Sequence, residues 1–93
     1  LARQREFSNP SAIGECRWTL PNKQALILLV DPVDYPDDTE WPYDMEQVLV
    51  HELLHLHAAA FDAFEDDSPQ DVALEQMIEC LACGLVRLKR NGE

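Results

Sequence analysis

The sequence predicts a small α+β domain in which a β-hairpin packs on two helices. Three observations lead there. The chain has 93 residues, enough for one domain and too few for two. Apolar residues alternate at period two near residue 15, then recur at helical spacing through the second half. Turn residues separate these blocks: Pro21-Asn22, three prolines between 31 and 42, and Ser68-Pro69.

Residues 1–14 are polar, broken by Asn9-Pro10 and Gly14, and read as an irregular lead-in to the single domain 1–93. The chain opens at Leu1 rather than Met, which leaves room for upstream residues. From 15 to 20, Cys16, Trp18 and Leu20 share one face and Glu15, Arg17 and Thr19 the other. That is the pattern of a half-buried strand. Pro21-Asn22 supplies a turn. Residues 25–30 are apolar on both faces, so the second strand is expected in the interior. Residues 31–42 have no period and form a loop.

Asp44 with Gln47 three positions on makes an approximate capping box, opening a helix expected to reach Phe64. Ser68 is a good N-cap, Pro69 suits the first helical position, and Asp71 suits the first turn. Leu74, Met77, Ile78, Leu81, Leu85 and Leu88 then mark an apolar stripe on a last helix. Arg87, Lys89 and Arg90 complement its dipole, and Asn91-Gly92 stops it.

Net charge is −11, concentrated in one segment: residues 31–79 hold fifteen acids and no Lys or Arg. Such a segment repels phosphate backbones, which argues against nucleic-acid binding. It suits a metal cation or a basic peptide, although most of these acids equally suit a solvated surface. The longest apolar run, 25–30, is far too short to span a bilayer, so no membrane segment is expected. Three cysteines with no signal peptide before them favour a reducing, cytoplasmic setting.

The chemistry sits in His51-Glu52-Leu53-Leu54-His55, an H-E-x-x-H motif. Histidines four apart lie one above the other on a helix face, as a single Zn²⁺ requires. Glu52 falls about 100° round the helix from His51, placed to take a proton from a zinc-activated water. Between Val48 and Phe61 every other residue except His57 is apolar, so the helix is expected to be buried all round. Buried imidazoles and a carboxylate need partners, and a metal would satisfy them together. The structural alternative is a pair of core histidines bonded to backbone. His57 lies about 240° from His51, on another face. The metzincin continuation is excluded, since position 61 is Phe.

A third ligand must come from elsewhere, and the last helix offers Glu75 and Glu79. With Leu74 at zero, the apolar face centres near roughly 10°, Glu75 falls at roughly 100° and Glu79 at roughly 140°. Glu75 is nearer the inward side and is the expected ligand. Glu79, one turn below, is expected to orient a histidine.

These residues carry a family resemblance. H-E-L-L-H, nineteen residues, then Glu75-x-x-x-Glu79 resembles the gluzincins, the thermolysin-like zinc metallopeptidases, over residues 24–86. It looks most like the minimal metallopeptidase-like domains of phage and prophage genomes. The resemblance implies a zincin-like fold with Zn²⁺ held by His51, His55 and Glu75, and Glu52 as general base. It makes Glu79 the buttress of a ligand histidine, where the family usually has Asp. It also places strand 24–30 along the edge of a cleft for a peptide or protein substrate. Full enzymes use a His or Tyr to stabilise the tetrahedral intermediate; Tyr35, Tyr43 and Arg87 are the candidates here.

Cys80 and Cys83 form a C-x-x-C pair, but in mid-helix rather than at a helix start after a strand, which disfavours a thioredoxin-type site. At roughly 240° and 180° they point away from the apolar face, toward a covering segment or partner. Two rivals to a peptidase stay open: a non-catalytic zinc-stabilised binding or regulatory module, and a metal-free structural domain.

Overall fold

Cys16 and Trp18 are half-buried while Arg17 and Thr19 are exposed, and this alternation is strand β1 (Gly14–Thr19). The computed structural model describes residues 1–9, 11–19, 24–36, 42–59 and 64–92. β1 pairs antiparallel with β2 (Gln24–Leu29), in a register that sets Cys16 opposite Ile27 and Trp18 opposite Ala25. Leu20, the Pro21-Asn22 turn, Pro10 and positions 60–63 lie outside the described residues. The two strands are followed by helices α1 (Met45–His57) and α2 (Pro69–Asn91), giving the expected small α+β arrangement.

Strand β2 is not interior. Gln24, Ala25 and Leu26 are exposed, and burial begins only toward Val30. Cover comes only at its second half, where Ala2 adds hydrogen bonds at Leu29 and Asp31 and Val30 joins the core. The lead-in, by contrast, belongs to the core. Ala2 and Phe7 are buried with Val30, and Tyr35, Tyr43, Ala12 and Leu28 pack against them. Ala2 bridges to Val30 through Ala2 N–H to the Leu29 carbonyl and Asp31 N–H to the Ala2 carbonyl, both 2.8 Å. Asp34 fastens the same segment, accepting from Arg3 Nε at 2.7 Å and from the Gln4 amide at 2.8 Å.

Both helix starts follow their caps. Asp44 accepts from the Gln47 amide at 3.2 Å, and Ser68 Oγ from the Asp71 amide at 3.1 Å, with Pro69 at the first position of α2. Helix α1 stops at His57, short of Phe64. Ala58 turns to φ −89°, ψ 0°, and the Ala59 amide closes onto Leu56 in a tighter turn. The chain must reverse to reach Ser68, and that reversal overrides the helical preference of the alanines.

Helix α1 is not buried all round either. Met45, Leu49 and Leu53 are exposed, and its one buried residue is Glu52, 8 % exposed. Helix α2 turns inward not its leucines but Ile78, Ala82 and Val86. That face is rotated by about 90° from the stripe of Leu81, Leu85 and Leu88, which are exposed. Small Ala82 lets the helices approach, and the ends are tied by Arg90, bidentate to Asp44 at 2.9 Å, and by Lys89 on Glu46. The helices are therefore antiparallel, with the start of α1 beside the end of α2. No helix among the described residues is long and apolar enough to cross a membrane.

Candidate metal centre

Rotation of α2 brings Glu75 and Glu79 onto α1. Glu75 Oε1 lies 2.7 Å from His55 Nε2, and its Oε2 lies 3.2 Å from His51 Nε2. One donor atom from each of His51, His55 and Glu75 falls within 4.8 Å of the others. The two rings stand 5.0 Å apart, tilted by 48°, as i and i+4 residues on one face must. The histidine side chains are mostly covered, 19 % and 13 % exposed, while Glu75 closes the group from the solvent side at 46 %.

Glu79 takes the other nitrogen of His51: Oε2 to Nδ1 is 2.6 Å. Both ring nitrogens of His51 thus face carboxylates, and the shorter contact, 2.6 Å to Glu79 against 3.2 Å to Glu75, favours the proton on Nδ1 and the lone pair on Nε2. Partial burial works to raise the Glu79 carboxyl, yet the hydrogen bonds from His51, Gln47 and Cys83 hold it below the usual carboxylate range. Two imidazoles whose Nε2 atoms converge on one carboxylate form the N/N/O donor set that suits zinc. A tetrahedral zinc site has edges of about 3.3 Å; the 3.2 Å His51–Glu75 contact matches that spacing, while the 2.7 Å His55–Glu75 contact, made by the other carboxylate oxygen, is at hydrogen-bond length.

Glu52 lies on the inner side of the histidines. Burial pushes its carboxyl up, opposed by the charges of His55 and His51, with Glu75 adding to the rise. The close approach is made by Gly14: a Cβ there would sit 2.6 Å from Val48 Cγ1 and 3.1 Å from Glu52 Oε2. Cys16, two residues along β1, feels the same carboxylate; burial and then Glu52 raise its thiol.

Two cavities flank the group and share His51, Glu52 and Gly14. One, about 640 Å³, runs past Ile13, Val48 and the stacked rings of Tyr35 and Tyr43, whose centroids are 4.7 Å apart. The other, about 700 Å³, is more polar, with Trp18, Glu15, Asp66 and Asp71 in its wall. The cleft edge near the centre is β1, through Gly14 to Trp18; the expected strand 24–30 lines neither cavity. Tyr43 Oη is committed to the Val30 carbonyl at 2.7 Å, and Arg87 is exposed and lines neither cavity.

His57 stands apart, exposed, with Nδ1 2.9 Å from the Leu53 carbonyl. Cys80 is exposed, and Cys83, far from facing an unknown covering segment, meets Gln47 of α1 with its Sγ 3.1 Å from Gln47 Nε2. Two residues around the centre went unnoticed in the sequence, Gly14 and Gln47. Gly14 read only as a break before a strand. Gln47 read only as a capping residue, although it precedes His51 by four and so shares its helix face. No family model, curated protein or solved structure matches the chain, so the gluzincin resemblance is carried by the motif residues alone.

Proposed function

We propose that this domain is a zinc-dependent metallopeptidase-like hydrolase. The observation that carries the reading is the convergence of His51, His55 and Glu75 within 4.8 Å, with buried Glu52 beside them. His51 and His55 offer neutral Nε2 atoms and Glu75 a carboxylate, and together they would hold Zn²⁺. Zinc, when bound, supplies Lewis acidity and brings the pKa of a water to about 7. Glu52 is the general base: its raised pKa, set by burial, lets it hold a proton and pass it to the leaving amine. Glu79 keeps His51 oriented. The two cavities give a polypeptide room on both sides of Glu52. The unpaired thiols of Cys16, Cys80 and Cys83 support a reducing, cytoplasmic setting.

A second reading is a zinc-stabilised binding or regulatory module without turnover. It is favoured by the loss of two of the three oxyanion candidates, since Tyr43 Oη donates to the Val30 carbonyl and Arg87 lines neither cavity, which leaves Tyr35 as the remaining candidate in the cavity wall. Metal analysis and a peptidase assay on Glu52→Gln decide. The hydrolase reading expects about one zinc per chain in both proteins and turnover in the parent alone. Zinc in both with turnover in neither selects the binding module, and no zinc in the parent removes both readings.

A further inference from the structure

Glu79 is gripped at both of its oxygens. Oε2 meets His51 Nδ1 at 2.6 Å, while Oε1 accepts from Gln47 Nε2 at 2.7 Å and from Cys83 Sγ at 3.5 Å. The Gln47 amide also lies 3.1 Å from Cys83 Sγ, so Gln47, Glu79 and Cys83 close a small ring of polar contacts between the helices. The Glu79 side chain is 49 % exposed. A half-exposed glutamate has three rotatable bonds, and its polar partners fix the direction of its carboxylate. Gln47, His51 and His55 are spaced by four and form one ridge of α1.

We infer that Gln47, backed by Cys83, is a positioning residue that clamps the Glu79 carboxylate so that it retains the Nδ1 proton of His51. An amide carries two N–H donors, enough to serve Glu79 and Cys83 together. Without it, Glu79 turns toward water and His51 exchanges between its two neutral tautomers. A ring protonated at Nε2 has no lone pair to offer there. The bearing of this clamp on metal binding rests on the metal-centre reading above; the clamp itself exists without metal.

The test is Gln47→Met, which keeps length and helix preference and removes both donors. Nitrogen NMR of the metal-free protein at mildly alkaline pH should show His51 as one tautomer in the parent and a mixture in the variant. Zinc affinity should fall roughly threefold to tenfold, less than the 10–100-fold typical of losing the direct partner, with melting nearly unchanged. Cys83→Ser keeps a polar neighbour and should stay near the parent. Should Gln47→Met not fold, Gln47→Asn, one methylene too short to reach Glu79, gives the same comparison. A variant with an unshifted tautomer balance, or with lower melting and unchanged zinc affinity, overturns the proposal. If the parent takes up no zinc, the metal reading fails, and the tautomer measurement still decides the clamp.

Discussion

Gly14 and Glu52 meet where β1 crosses α1, and the meeting depends on the absence of a side chain at position 14. A Cβ built there falls 2.6 Å from Val48 Cγ1 and 3.1 Å from Glu52 Oε2. Neither neighbour is the far end of a loose chain: Val48 is β-branched and stiff within a helix, and Glu52 is buried. The strand and helix must therefore separate to admit a methyl group.

Gly14→Ala should destabilise the domain by about 1–3 kcal/mol, the usual cost of overpacking. Because the clash is shared with Glu52, any peptidase turnover should fall further than zinc content does. Thermal melting, metal analysis and kinetics on one preparation check this. Equal losses of zinc and turnover would show that position 14 acts on the fold alone.

The roles of Glu75 and Glu79 are separable because they touch different nitrogens of His51. Glu75→Ala removes a donor that reaches both histidines and should abolish tight zinc retention. Glu79→Ala leaves the three donors in place and should cost about 10–100-fold in affinity, the scale for a group that orients a ligand. Competition titrations against a chelator of known affinity read both. A larger loss for Glu79→Ala than for Glu75→Ala would reverse the assignment.

Much of this centre was legible in the sequence, and the reason is that its parts are local. The i, i+4 spacing of His51 and His55 fixes their relation whatever the tertiary fold, and caps such as Asp44 and Ser68 act within a few residues. What failed was the face that α2 turns inward. Leu81, Leu85 and Leu88 dominate any wheel by size, yet packing chose Ile78, Ala82 and Val86. Close helix approach favours small residues, and the contacts of Glu75 with two histidines fix the same rotation. The expected rank of Glu75 over Glu79 came from a misplaced face, and in the rotated helix Glu75 lies still nearer its centre. The lead-in was missed for another reason: Ala2 and Phe7 are isolated apolar residues without a period, and only a long-range bridge to Val30 makes them core.

Asp34 gives that lead-in a pH dependence. The Arg3 side chain and then the Gln4 amide hold its carboxyl at about 2, below the ordinary 3.8. A carboxylate depressed in the folded state adds stability that is complete above its unfolded value and fades as pH falls through the folded one. The contribution should thus be present above pH of about 4 and disappear toward pH of about 2. Asp34→Asn should remove it at neutral pH, with faster amide exchange at Gln4 and a flatter acid limb of the stability curve. An unchanged acid limb would mean that the Arg3–Asp34 contact contributes nothing in solution.

The acidic segment makes a prediction about substrate sign, and the structure narrows which acids can take part. Residues 31–79 carry fifteen acids without Lys or Arg, yet several are spent on internal partners. Asp44 and Glu46 hold Arg90 and Lys89, and Asp34 holds Arg3. In the polar cavity beside the centre, Asp66 and Asp71 keep their charge, although Asp71 accepts from the Asp67 amide at 3.0 Å, and Glu15 is paired to Arg17. Zinc on two neutral histidines and one carboxylate carries about +1, too little to reverse the field of these groups together with Glu52. A Lys or Arg side chain should therefore be favoured in a bound peptide at low salt, and the preference should shrink as screening shortens to about 8–10 Å. The competing account gives the acids a purely solvating role. Binding of peptides that differ only in Lys, Gln or Glu at one position, measured at two ionic strengths, decides between them. A salt-sensitive order of Lys over Gln over Glu, weakened in Asp66→Asn, supports recognition by charge. Equal binding at low salt, or a preference for Glu, would leave the segment no part in choosing a substrate.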